Sequence, residues 1–294
     1  MKYGYIDLFA EYLGLEDFSD KTIKSYVGAL RDFEQWLLRV KAINDIRIIA
    51  FKEIKDYRES LIHKYAPATV NLKICAIKTF FRFMHERNIV DTDPSKNIKI
   101  QKISSNIKSQ YLTRSETLAI MNRAKLMGKK PYAILMVLLK LGLRPSEVAS
   151  IRLNSLHLKS DPTLIIKNTK RNKSRYVPIP ADTVHAIQEW LEIRNASTKV
   201  YHQRSDYLFT SERGERLGER GIQRIVENIA RKENIKLYCT RLRCTFANDL
   251  IQEANIPINI LSALLGHENI TITGRYISAS QVDVRKFVDR LSEI

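Results

Sequence analysis

The run from Tyr132 to Leu141 constrains the fold more than any other stretch, because every position in it except Lys140 is apolar. Spanning a bilayer takes about 20 such residues. This run is too short for that, and it predicts a helix buried inside a globular domain. Gly142 closes it, as glycine does where a helix ends in a left-handed turn. The chain then reads Leu143-Arg144-Pro145-Ser146-Glu147-Val148, which puts Arg144 in the turn before a second helix that Ser146 and Glu147 begin. In a purely structural reading, Arg144 pairs with Glu147 or binds carbonyl groups.

The rest of the second half builds a domain around that helix. Thr113-Arg114-Ser115-Glu116 is a capping box leading into Leu118, Ile120 and Met121. Thr163 to Asn168 and Arg175 to Ile179 are short, partly alternating apolar runs. Between them lies Thr169-Lys170-Arg171-Asn172-Lys173-Ser174, so the segment reads as a hairpin with a basic tip. Ala181 to Asn195 and Glu219 to Arg231 complete a helical framework, with Tyr207-Leu208-Phe209 as a short extended link.

The first hundred residues read as a separate helical domain. Ser19 and Asp20 cap a helix whose apolar positions Ile23, Tyr26, Leu30, Phe33 and Leu37 follow helical spacing. Glu53 to His63 reads as another helix, and a longer one runs from Pro67 through Arg87, with proline at a tolerated first-turn position. In that last helix Ile74, Ile77, Phe81 and Met84 form an inward stripe, leaving Lys73, Lys78 and Arg82 available to solvent or to a DNA groove. Asp91 to Lys108 is polar and basic and lacks a sustained apolar period, so a linker is expected at about 91–110. The expected domains are 1–107 and 108–294, and the fold class is mainly α with a small β hairpin or sheet in the second domain. There is no internal repeat.

Charge narrows the partner. The 294 residues carry a formal net charge of +17, which points to a polymer of phosphates. Residues 1–107 hold 18 basic and 14 acidic residues, and residues 108–294 hold 31 and 18, so the stronger field belongs to the second domain. Cys75, Cys239 and Cys244 are an odd set without paired spacing, which argues against a disulfide framework or a zinc site. With neither a signal-peptide core after Met1 nor a membrane-length apolar run, the expected location is a reducing cytoplasm, associated with the nucleoid.

One stretch can gather cations, an imidazole and a phenol around a single anion. It contains Thr240-Arg241-Leu242-Arg243-Cys244-Thr245-Phe246-Ala247, then Leu264-Leu265-Gly266-His267, then Tyr276. A phenol with a pKa near ~10 attacks a phosphodiester only when charged neighbours favour its ionised form and absorb charge growing on phosphorus. Arg243 and His267 suit that task. Thr245 to Ile251 reads as a helix with Arg243 at its start, where helix amides also favour an anion. Ile256 to Leu265 reads as a short helix opened by Pro257 and stopped at Gly266.

This ordered set resembles the tyrosine recombinase (phage integrase) family, and most closely its short Xer-like members. The resemblance implies a two-domain C-shaped clamp on DNA, with a helical SAM-like N-terminal domain and an α+β catalytic domain. It implies that Arg144, in its Gly-Leu-Arg-x-Ser-Glu setting, is the first catalytic arginine and Arg243 the second. Lys170 best matches the hairpin lysine that reaches the scissile phosphate, with Lys173 the fallback; Arg171 and Lys173 would also contact DNA. His267 would hydrogen-bond the phosphate or help Tyr276 lose its proton. Tyr276 would form a 3'-phosphotyrosine, and Lys170 would protonate the departing 5' oxygen. The chemistry needs neither ATP nor a metal, so no cofactor is expected.

The same resemblance implies double-stranded DNA with inverted-repeat sites as partner. A homotetramer would assemble on two duplexes from a monomer or dimer. From Ser280 onward, Val284, Phe287, Val288 and Leu291 form an apolar stripe that would dock in a neighbouring subunit or fold back on its own domain. The role stays open among resolving replicon dimers, resolving transposon cointegrates and integrating a mobile element; the short length favours resolution of simple inverted-repeat sites.

One position departs from the pattern. Members carry His, or less often Lys or Tyr, three residues before the second arginine, and here that residue is Thr240, which cannot act as a base near neutral pH. An alternative register pairs Tyr238 with Arg241. Three readings therefore stand: a site-specific recombinase, a type IB topoisomerase-like strand transferase, and a DNA-binding protein with a decayed site.

Overall fold

The computed structural model describes residues 4–102, 111–168, 173–212, 215–252 and 256–266, with the side chains of Asn168 and Lys173 excepted. The chain divides into two units, Met1–Ser105 and Asn106–Ile294.

In the first unit, α1 (Tyr5–Leu15), α2 (Asp20–Trp36), α3 (Phe51–Ile62) and α4 (Pro67–Glu86) enclose one core. The Ser19 hydroxyl accepts a bond from the Thr22 amide at 3.1 Å, which fixes where α2 begins. Ile74, Ile77, Phe81 and Met84 are buried as their spacing predicts. The first helix, α1, was not read from the sequence, although Ile6, Phe9 and Leu13 fall on one face and are all buried. Phe9 meets Phe80 edge-on with ring centroids 5.4 Å apart, so α1 closes the core over α4.

The polar stretch expected as linker is tied down over its first part. Ser95 and Ile98 are buried, and the Asn71 side chain exchanges two 2.9 Å hydrogen bonds with the Gln101 backbone. Lys78 Nζ donates to the carbonyls of Ser95, Lys96 and Ile98 at 2.9–3.1 Å, so its charge is committed to that turn. Lys73 corrects the expectation of an outward cation: it is buried, paired with Asp32 of α2, and lies 5.4 Å from the centre of the Tyr65 ring. A lysine can sit inside when a carboxylate from another helix neutralises it and its stem packs on apolar groups. Arg82 is exposed, as expected.

In the second unit, α5 (Arg114–Met127) starts at the expected capping box. Thr113 Oγ1 accepts from the Glu116 amide at 3.2 Å, and Glu116 accepts from the Thr113 amide at 2.8 Å. The apolar run forms α6 (Lys129–Leu141), buried at every position from Tyr132 to Leu139. The elements α5, α8 (Ala181–Ala196) and α11 (Cys239–Gln252) pack around it. Burial on all sides explains why α6 lacks a polar face.

Three short strands form an antiparallel sheet in the order β1 (Leu156–His157), β2 (Thr163–Asn168), β3 (Lys173–Pro178). The strand β1 was not anticipated; two residues carry too little pattern to read. In the β2–β3 register Leu164 faces Val177 and Ile166 faces Arg175. Leu164, Ile166 and Val177 are buried, and side chains alternate faces along a strand, so Arg175 shares the buried face. The remaining helices are α7 (Pro145–Ala149), α9 (Val200–Gln203), α10 (Glu219–Glu233) and α12 (Ile258–Leu265). Among the described residues, no helix is long and apolar enough to cross a membrane.

Candidate active site

The site begins where α6 ends. Gly142 has φ +60°, and a Cβ there would stand 2.3 Å from the Phe246 ring of α11. Only glycine allows both this left-handed turn and so close an approach. The turn delivers Arg144, in extended backbone, to the N-terminus of α7, with Pro145 at its first position. Glu147, one turn into α7, accepts from the Arg144 amide at 2.8 Å and from its guanidinium at 3.3 Å. The pairing with Glu147 read from the sequence is therefore present.

Glu147 has a second and closer partner. Arg175 of β3 grips both its oxygens, Nη1 to Oε1 at 2.9 Å and Nη2 to Oε2 at 3.0 Å. Burial pushes the Glu147 carboxyl toward its neutral form, yet its pKa ends below the ordinary value, because the Arg175 hydrogen bonds and charge, with help from Arg144, outweigh that burial.

Arg243 comes from α11 and is buried. Its Nη1 donates to the Gly142 carbonyl at 2.6 Å and its Nη2 to the Leu265 carbonyl at 2.5 Å, and Nη1 lies 3.9 Å from Glu147 Oε2. Arg144 Nη1 reaches the same Leu265 carbonyl at 3.4 Å, and Arg175 Nε donates to the Leu264 carbonyl at 2.9 Å. These carbonyls end α12, where a helix gathers partial negative charge. Gly266 closes α12 with φ +62°, and a Cβ there would fall 2.7 Å from Arg175 Nη1.

Three arginines from three elements thus surround one carboxylate and one helix end. Among the described residues, three cations meet one anion there, and Arg144, with 43% of its side chain exposed, faces solvent. Such a centre suits an oxyanion whose oxygens can meet planar guanidinium forks.

The structure brings Arg144 and Arg243 together at the Leu265 carbonyl. It moves Arg243 relative to the sequence reading: α11 begins at Cys239, so Arg243 stands on its second turn rather than at its start. Free helix amides lie earlier, and the anion-favouring groups around Arg243 are side chains. Thr240 is exposed, one turn before Arg243. The alternative register finds a different place, since Arg241 bonds both Glu116 oxygens at 3.0 Å and the Lys236 and Tyr111 carbonyls. It fastens α11 to the capping box of α5. Thr245 reinforces that joint by accepting from the Leu112 amide at 2.9 Å.

Lys170, Arg171, His267, Tyr276 and the helix expected from Ser280 lie outside the described residues, as does the side chain of Lys173. Arg175 was overlooked in the sequence, where it was only the first residue of a strand. Its signal was a charge two positions before Val177 in an alternating run, hence on the face expected to be apolar. Among the described residues, no cluster of side chains has the makeup of a metal site.

Comparison with known proteins shows the family and the fold. The family described as "Phage integrase family" matches residues 110–282, and "Phage integrase, N-terminal SAM-like domain" matches residues 5–91. The tyrosine recombinase XerC of Bacillus subtilis (strain 168) is 28% identical over 289 residues, covering 96% of this chain and 94% of its own. The fold is similar to that of the Tn1549 transposon integrase in complex with transposon right end DNA, with TM-score 0.78, 17% identity, and 98% and 99% of the two chains covered. It is also similar to XerH site-specific recombinase bound to palindromic difH substrate, with TM-score 0.70, 19% identity, and 86% and 75% covered.

Proposed function

The chain belongs to the phage integrase family, whose members cleave and rejoin DNA, and from that premise we propose that it is a site-specific recombinase acting through a 3'-phosphotyrosine. The observation that carries the reading is the convergence of Arg144 and Arg243 on one point, the Leu265 carbonyl, beside a single ionised carboxylate. In phosphoryl transfer, charge spreads over the non-bridging oxygens of phosphorus, and cations fixed beforehand stabilise it without reorganising. Arg144 and Arg243 take that role.

The covalent steps balance without an outside reagent. The Tyr276 phenolate oxygen bonds to phosphorus, and the bond from phosphorus to the 5' oxygen breaks. Lys170 gives that oxygen its proton, and His267 bonds the phosphate or accepts the tyrosine proton. The phosphotyrosine retains the free energy of the phosphodiester. A 5' hydroxyl from a second duplex can therefore reverse the step without ATP. The target is double-stranded DNA carrying inverted-repeat sites, and strand exchange takes four protomers on two duplexes. Resolution of replicon dimers or transposon cointegrates fits this chemistry, as does integration of a mobile element.

A duplex nicked beside the cleavage point traps the intermediate, because the short cleaved piece diffuses away. Wild type is expected to form a covalent adduct, and Tyr276→Phe to bind the duplex without forming one. Absence of adduct from wild type would refute strand cleavage. Adduct without exchange between two duplexes would move the activity toward a topoisomerase.

A further inference from the structure

We propose that Arg175 is a positioning residue for strand cleavage, holding Glu147 and the end of α12 where Arg144 and Arg243 are set to meet the DNA phosphate; this rests on the strand-cleavage reading above. Arg175 touches neither phosphate nor tyrosine in this account. It acts through the groups it holds.

A guanidinium on the buried face of a small sheet is unfavourable unless its charge is neutralised and its donors are used. Arg175 meets both conditions with two bonds to Glu147 and one to the Leu264 carbonyl, and only 18% of its side chain is exposed. An apolar residue at this position would fill the sheet face at lower cost, as Val177 does nearby. What an apolar residue cannot do is connect three elements: β3, α7 and α12.

Those connections fix the two catalytic arginines. Glu147 holds the Arg144 amide and guanidinium, and stands 3.9 Å from Arg243. The end of α12 gives the carbonyl that Arg144 and Arg243 share. Gly266 fits against the Arg175 guanidinium with no room for a Cβ, and His267 follows Gly266 directly in sequence. One side chain therefore sets the carboxylate that aims Arg144, the carbonyl that aims Arg243, and the point from which the histidine segment departs.

Among the described residues, the charged groups facing Glu147 are Arg144 at the start of α7, Arg175 from β3 and Arg243 from α11. The α12 sequence has no titratable side chain, and the buried residues of α10, which packs on α7, are apolar. Without Arg175, Glu147 keeps its burial and loses its paired partner. Its carboxyl then takes up a proton more readily, and a neutral Glu147 no longer holds the Arg144 guanidinium by charge. Cleavage should acquire an acid-side fall that belongs to Glu147. A residue serving stability alone would not produce it.

The test measures single-turnover adduct formation on the nicked duplex from pH 5 to 9. It compares wild type, Arg175→Lys, Arg175→Met and Arg175→Met combined with Glu147→Gln, and follows duplex binding and thermal unfolding alongside. Lysine keeps the charge and one bond to Glu147 but cannot also reach Leu264, so its adduct should form about ten- to a hundredfold more slowly, with the wild-type pH profile. Methionine should be slower still, with an added fall toward acid that Glu147→Gln flattens. Duplex binding should persist throughout. Adduct formation by both single variants at the wild-type rate and pH profile would overturn the proposal, as would losses that only track duplex binding. Should Arg175→Met fail to fold, Arg175→Lys decides alone, and a rate within about threefold of wild type would overturn it. A wild type that forms no adduct would instead sink strand cleavage itself.

Discussion

Arg144 and Arg243 donate to one acceptor, the Leu265 carbonyl oxygen, at 3.4 and 2.5 Å. They differ in how deeply they are held: 43% of the Arg144 side chain is exposed, against 6% for Arg243. The Leu265 carbonyl occupies this point, so a phosphate oxygen has to arrive beside it to be reached by both forks. The same two residues should therefore share a catalytic effect and differ in their effect on folding.

Arg144→Ala and Arg243→Ala should each slow adduct formation by two or three powers of ten, since losing one oxyanion contact costs roughly 2.7 to 4 kcal/mol in other enzymes. Thermal unfolding should separate them. Arg243 also joins the end of α6 to the end of α12 through the Gly142 and Leu265 carbonyls; without it the Leu265 carbonyl keeps only the longer Arg144 bond, and a buried carbonyl left unpaired, as at Gly142, costs about 1 to 3 kcal/mol. Arg243→Ala should thus lower stability clearly, and Arg144→Ala much less. Equal stability losses, or cleavage near the wild-type rate for either, would contradict the assignment.

Gly142→Ala tests the turn that delivers Arg144. The added methyl meets the Phe246 ring at 2.3 Å and must adopt φ +60°, so the variant should be destabilised by about 1 to 3 kcal/mol or more. Phe246→Ala in the same chain should relieve the clash but not the backbone strain, giving partial recovery in an unfolding titration relative to Phe246→Ala alone. A neutral Gly142→Ala would mean that the turn has another low-energy form.

The pH dependence of folding should carry the mark of Glu147. Its folded pKa is depressed below the ordinary value of about 4.3. Just below that value the unfolded chain binds more protons at this site than the folded one, so stability rises with pH there. The contribution is complete above the unfolded pKa and is lost as pH falls through the folded one. Unfolding followed from pH 3 to 6 should show a shallower acid-side loss for Glu147→Gln than for wild type. Parallel curves would mean that the carboxylate is not held as described.

Lys73 and Arg82 both belong to α4 and should behave oppositely. Lys73→Met removes a buried cation and leaves the exposed Asp32 carboxylate to water, so it should change thermal stability and leave the salt dependence of duplex binding as in wild type. Arg82→Ala removes an exposed cation. If it contacts a phosphate, binding weakens uniformly across sequences, and the slope of log affinity against log salt falls by about 0.9. An unchanged slope removes Arg82 from the interface.

This pair also shows what the sequence could reveal. The α6 run, the Ser19 cap and the Thr113–Glu116 box were readable because their causes lie within a few residues of one another. The burial of Lys73 depends on Asp32, and that of Arg175 on Glu147, each from a different element. A local pattern contains no such partner, so both charges read as surface or as nothing in particular. Arg144 and Arg243 were legible as a pair only through resemblance. The structure adds a physical ground for choosing Arg243 over Arg241, because Arg241 is spent on Glu116 and two carbonyls.

Thr240 poses the remaining question about the site, because the resemblance implies an imidazole at its position. It is exposed and lies one turn before Arg243 on α11, and positions three apart on a helix share a face. A side chain there would project from the face that carries Arg243 without displacing a packed neighbour. Thr240→His should therefore fold with little change in thermal stability. If threonine is merely tolerated, the added imidazole should leave adduct formation equal or faster and introduce a pH dependence near ~6.5. If the hydroxyl itself bonds the phosphate, the substitution removes that bond, and adduct formation should fall while folding and duplex binding hold. Thr240→Val, which keeps the shape and deletes the hydroxyl, separates these cases: an unchanged rate assigns no role to the oxygen, and a loss as large as that of Thr240→His assigns it one. A variant that fails to fold would contradict the exposure of Thr240 and the placing of α11.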